Sequence, residues 1–140
     1  MEKTKSETVR FKTIKLLPTL WSLDAYLVDK HTDDNRATIA SDMVTRYGAN
    51  YECYYEELEK INCVINVSAT KKSKSKGESR IIMIVEYDLK TIVHELLHVL
   101  QHLSNLSGVE MSYDAQEWQA CMIEYLYGHF QDFDSIPVLK

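Results

Sequence analysis

Between Leu89 and Leu106 apolar residues recur at helical spacing. Leu89, Ile92, Val93, Leu96, Leu100 and Leu103 fall on one face at about 100° per residue, and Leu97 and Val99 widen that face past half the circumference. A helix this apolar is stable only when largely buried, so the rest of the chain must supply a sheet or further helices to cover it. Asp88 can cap its start, and Gly108 stands where a glycine ends a helix reaching to about Asn105 or Leu106. The opposite side carries Thr91, His94, His98, Gln101, His102 and Asn105, with no Lys, Arg or Asp among them. A solvated stripe would be richer in charge, so this one is expected to line a cleft.

The remaining residues can build that cover. Thr8 to Val28 is rich in β-formers, interrupted by Pro18, and reads as one or two strands. Thr32-Asp33-Asp34 offers an N-cap, Ile39, Met43 and Val44 a helical stripe, and Gly48 a C-terminal stop. Tyr51 to Lys60 fits either a short helix or an irregular connection. Ile61 to Val67 and Arg80 to Tyr87 are apolar, β-branched runs on either side of the Lys-rich stretch 70–77, which reads as a hairpin with a basic tip. A last helix spans about Asp114 to Phe130. At 140 residues, with 45% apolar and 26% charged side chains, the chain suits one folded domain, residues 1–140. The expected class is α+β: a small antiparallel or mixed sheet packed against the histidine-bearing helix and the helix that follows it.

Within the long helix, His94-Glu95-Leu96-Leu97-His98 places two imidazoles four residues apart, about 40° around the axis and about 6 Å along it, where both can chelate one ion. Glu95 lies about 100° round from His94, positioned to reach a metal-bound water and not to act as an equivalent ligand. The plain alternative is a pair of histidines on the polar side of an amphipathic helix. Glu117 follows His98 with 18 residues between them, enough for a turn and a returning helix, so its carboxylate is a candidate third ligand. Asp114 and Glu117 also have the spacing of a capping box, which would give Glu117 a purely structural role. Glu124, two helical turns beyond Glu117, is a candidate acceptor to orient an imidazole, and His102 is a weaker one, better placed at the cleft edge.

These residues resemble the gluzincin branch of zinc metallopeptidases, in which His-Glu-x-x-His is followed by a glutamate on the next helix. The matching positions are His94, Glu95, His98 and Glu117, within a metal-site region of about 81–130. The resemblance implies Zn2+ as cofactor, a peptide or protein substrate, and Glu95 as the base that activates water. Thermolysin-like enzymes carry an acid four positions after the third ligand, where this chain has Cys121. The chain also resembles short zincin-like proteins encoded by bacteriophages, through Thr19-Leu20-Trp21, Arg80 to Val85, His94 to His98 and Glu117-Trp118-Gln119-Ala120. That likeness implies a minimal single-domain zincin and allows a second reading: a structural or interaction protein, such as a phage particle component, with a structural or vestigial zinc site.

Charge and cysteine usage narrow the partners. The formal net charge of −5 argues against whole-surface attraction to nucleic acid or anionic lipid, and the Lys71 to Lys76 run has no interleaved aromatic to stack on a base. Charged residues at Glu2, Lys3, Lys5 and Glu7 occupy the place of a secretory apolar segment, and no run is long enough to span a bilayer. A cytoplasmic setting is expected, that of a host cell or a virion if the chain is phage-encoded. Cys53, Cys63 and Cys121 are odd in number and widely spaced, so they are expected to be reduced and mostly buried.

Overall fold

A computed structural model describes residues 9–16, 21–48, 50–59, 62–68, 79–107 and 116–139. The β-rich start forms two antiparallel strands, β1 (Val9–Lys15) and β2 (Ser22–Val28). Pro18 lies outside the described residues. Helix α1 (Asp33–Tyr47) begins where Thr32 accepts a hydrogen bond from the Asn35 N–H. It stops at Gly48, whose φ of 71° is a left-handed conformation that costs glycine little. The ambiguous Tyr-rich stretch is a two-turn helix, α2 (Tyr51–Glu57), capped by the Asn50 side chain, which accepts from the N–H groups of Glu52 and Cys53.

Strands β3 (Cys63–Ser68) and β4 (Ser79–Glu86) pair antiparallel, as their β-branched runs predict, while the Lys-rich stretch joining them lies outside the described residues. Helix α3 (Leu89–Ser107) is capped by Asp88, whose carboxylate accepts from the Thr91 N–H and hydroxyl. Helix α4 (Gln116–Gly128) follows, and a turn of 3-10 helix spans Phe133–Ser135. Gly108 and Asp114, read from sequence as stop and cap, lie outside the described residues.

The strand order is β1-β2-β4-β3, with β2 and β4 parallel and the two outer pairs antiparallel, so the sheet is mixed. Both central strands are buried on both faces, which is why Ile81 to Val85 reads as an unbroken apolar run. Alternation along the strands then divides two cores. Tyr26, Val28, Ile82 and Ile84 meet Ile39, Met43 and Tyr47 of α1 and Tyr54 of α2. Leu23, Ala25, Leu27, Ile81, Met83 and Val85 meet Ile92, Leu96, Val99, Leu100 and Leu103 of α3 and Met122 and Leu126 of α4. The architecture is α+β, a four-stranded sheet between α1–α2 and α3–α4.

The face over α1 is not wholly apolar. Asp24, 2% exposed, accepts hydrogen bonds from the hydroxyls of Tyr47 and Thr13 and faces the Arg80 guanidinium at 3.6 Å. Next to it Asp42 accepts from the Tyr26 hydroxyl and from Arg46 Nε, and the Arg46 guanidinium lies 3.9 Å from the Phe11 ring centroid. Burial, with the neighbouring carboxylates, raises both tyrosine hydroxyls far above their ordinary range, so they stay protonated and can donate to the carboxylates.

The three cysteines are free, and two of them depart from the expected burial. Cys53 and Cys121 are exposed, on the outer sides of α2 and α4, and Cys63 is half-buried. No described helix is long and apolar enough to cross a membrane.

Candidate metal centre

Helix α3 brings His94 and His98 side by side, because residues four apart share a helical face. Their ring centroids are 5.0 Å apart, edge to face. Glu95 is 5% exposed, on the shoulder where the helix turns from its polar stripe into the core, and its carboxylate Oε1 is 4.0 Å from His94 Nε2. Burial pushes the Glu95 carboxyl above its ordinary range, while the imidazoles of His98 and His94 pull it back. His98 Nδ1 is 2.8 Å from Gln101 Oε1. That bond places the ring proton on Nδ1 and leaves Nε2 as a lone-pair donor, the arrangement a metal-holding histidine needs. Gln101 was not singled out from sequence as the partner of His98. Its signal was there, since i and i+3 are neighbours on a helix.

Among the described residues the polar stripe is partly open to solvent. The His94 side chain is 68% exposed, Gln101 and Asn105 are exposed, and His102 is half-buried one turn beyond His98. A concavity of about 570 Å³ runs instead along the other flank of α3, between Val93, Leu97 and Leu100 and the α4 residues Ala120, Ile123 and Tyr127. Val93 and Leu97, expected in the core, are 41% and 45% exposed there. Helix α4 covers only part of the broad apolar face.

This arrangement decides where the acidic candidates stand. The α4 side chains turned to the groove are Gln119, Ala120, Ile123, Glu124 and Tyr127, and Met122, Leu126 and Phe130 are buried in the core. Glu117 is nine positions from Leu126, about 180° away around the helix, and is exposed. Glu124 is exposed and lines the groove with Val93 and Leu97 of α3. Among the described residues no three His, Cys, Asp or Glu side chains form a metal-holding group. The structure therefore brings together His94, Glu95 and His98, and does not bring Glu117 to them. Two imidazoles fit half of a metal site, and no described carboxylate, thiol or imidazole stands with them as a third ligand.

The strand that leads into α3, β4, pairs on both sides, with β2 and β3, and has no free edge to offer an extended substrate. No protein-family model, curated protein or solved structure matches the chain.

Proposed function

We propose that the chain is a zinc-dependent hydrolase acting on peptide bonds, in which His94 and His98 hold the metal and Glu95 takes a proton from water. The observation that supports this reading best is the pair of adjacent imidazoles with the Glu95 carboxylate 4.0 Å from His94 Nε2. Zinc held by such a pair supplies a Lewis acid and a water acidified toward neutral pH. Glu95, held by its place on the core shoulder, accepts the water proton at Oε1 and passes it to the leaving amine. Gln101 fixes the tautomer and ring orientation of His98.

A third protein ligand belongs to an open catalytic site. Glu117, which the resemblance assigns, faces away from α3 in the fold described above, and its rival Asp114 lies outside the described residues. Metal titration of Glu117→Ala and Asp114→Ala separates them: the true ligand loses zinc affinity, and the other loses only helix stability. Purified protein is expected to hold about one zinc per chain, lost on His94→Ala or His98→Ala. A metal-free wild type that folds normally would sink the proposal. Glu95→Gln should keep the metal and lose roughly 10²–10⁴ of any peptide hydrolysis.

The second reading, an interaction protein with a structural or vestigial site, draws its support from the apolar α3–α4 groove, which exposes Val93 and Leu97. It requires that Glu95→Gln assemble with its partners as well as the wild type does.

A further inference from the structure

The core side of α3 is carried by Ile92, Leu96, Val99 and Leu103, all buried. At about 100° per residue, His94 stands about 140–180° away from every one of them, on the crest of the helix. Its side chain is accordingly 68% exposed. His98 follows about 40° round the axis, toward the Glu95 shoulder, and its Nδ1 is engaged by Gln101 Oε1 at 2.8 Å, which presents Nε2. An ion on this pair therefore faces outward. Its remaining coordination positions are directed at whatever approaches the crest.

Coordination chemistry says what suits those positions. Zinc closes a structural site with four ligands, and imidazole nitrogen is among the ligands it takes. A second copy of the chain brings the same two imidazoles on the same crest, and a two-fold axis through the ion joins the pairs into a four-histidine site. The crest is fit to meet itself. Thr91, Gln101 and Asn105 beside the histidines are uncharged, so facing copies bring no like charges together there. The net charge of −5 on each chain acts over longer range and is screened beyond about 8 Å in physiological salt. Glu95, 4.0 Å from His94 Nε2, sets a carboxylate of each copy beside the ion, so the two together offset its double positive charge.

We propose that two copies of the chain share one zinc through His94 and His98 of each when zinc is scarce relative to protein. This rests on the metal reading of the two histidines and adds the regulation of that site. Four protein ligands leave no place for the water that Glu95 deprotonates, so the shared site is closed to hydrolysis. Excess zinc gives each copy its own ion and reopens it. Outward imidazoles with an ion between them hold the two helix axes beyond the roughly 8–10 Å of packed helices. The dimer therefore has little direct contact and exists through the metal.

The test is sedimentation velocity of the full chain at a fixed concentration in the tens of micromolar, titrated from EDTA to several equivalents of zinc, with bound zinc measured in the same samples. The expected course is a monomer in EDTA, a dimer most abundant near about one zinc per two chains, and a monomer again when excess zinc loads about one per chain. His94→Ala and His98→Ala should each abolish the dimer. Far-UV circular dichroism of His94→Ala should match the wild type, since that side chain is exposed. A dimer that survives EDTA, forms in His94→Ala or persists in excess zinc overturns the proposal. Monomers that bind zinc one to a chain at every ratio overturn the sharing and leave the metal site standing; a chain that binds no zinc overturns both.

Discussion

Replacing Asp24 with alanine tests how the sheet is locked to α1. Asp24 is 2% exposed in the middle of β2, and its two oxygens serve three donors from three other elements: Thr13 Oγ1 at 2.7 Å from β1, the Tyr47 hydroxyl from α1, and Arg80 Nη1 at 3.6 Å from β4. Removing the carboxylate takes the charged acceptor from the buried Tyr47 hydroxyl, a loss of about 1–3 kcal/mol. It also removes the counter-charge of Arg80, and breaking a buried pair from one side costs about 3–5 kcal/mol. The Arg80 side chain is 18% exposed, so water reaches part of the guanidinium and the second figure is to be taken at its low end. The expected total is about 4–6 kcal/mol, a large share of the roughly 5–15 kcal/mol that stabilises a domain. Tyr47→Phe removes one donor and leaves the ion pair intact, so it should cost about 1–2 kcal/mol. Urea titrations followed by far-UV circular dichroism measure both. The account is refuted if Asp24→Ala costs less than about 1 kcal/mol, or if Tyr47→Phe costs as much as Asp24→Ala.

Three further outcomes follow from local chemistry. Burial, with the charges of Glu95 and Glu57, pushes the Cys63 thiol up to about 11, so at pH 8 iodoacetamide should label the exposed Cys53 and Cys121 first. Because the thiolate is the nucleophile, Cys63 labelling should accelerate as pH rises toward 11, and mass spectrometry of quenched samples reads it. Asp88→Ala removes the acceptor for the Thr91 N–H at the start of α3 and should cost about 1 kcal/mol in thermal or urea unfolding. Gly48→Ala forces a Cβ into φ 71°, ψ 51°, and should cost about 1–2 kcal/mol by the same assay; an unchanged midpoint would show that α1 ends otherwise.

Much of the fold was legible because the elements announce their own ends. Thr32, Gly48 and Asp88 cap the helices for which their chemistry suits them, and the β-branched runs became strands within a residue or two of their sequence limits. The order of the strands was not legible. Nothing local in Arg80 to Tyr87 says that β2 will lie parallel to it after a crossover through α1, α2 and β3. The burial of Ile81 to Val85 on both faces is the trace such a central strand leaves in sequence: an apolar run without alternation. α2 was ambiguous because its seven residues show no periodicity, yet Asn50, two residues before Glu52, was a cap in plain view.

For the candidate site, one helix was readable and the relation between two helices was not. A spacing of four fixes His94 against His98 wherever α3 goes, because the backbone hydrogen bonds alone set that distance. No such constraint links Glu117 to them: which side of α4 meets α3 is chosen by packing. The choice did leave a mark, since Met122 and Leu126 of α4 and Phe130 just past its end recur every four residues as a stripe buried in the core. A carboxylate about 180° from that stripe belongs to solvent unless the helix turns over, and turning it would expose three large apolar side chains, each worth about 1.5–3 kcal/mol when buried. Glu117 can therefore approach the imidazole pair only if the start of α4 departs from the helix described here, a smaller change than rotating the whole element. That makes the Glu117→Ala and Asp114→Ala metal titrations a measurement of fold as well as of chemistry. Zinc lost from Glu117→Ala would mean that metal binding reshapes the first turn of α4, and zinc kept would mean that α4 holds its packing and the third ligand comes from elsewhere.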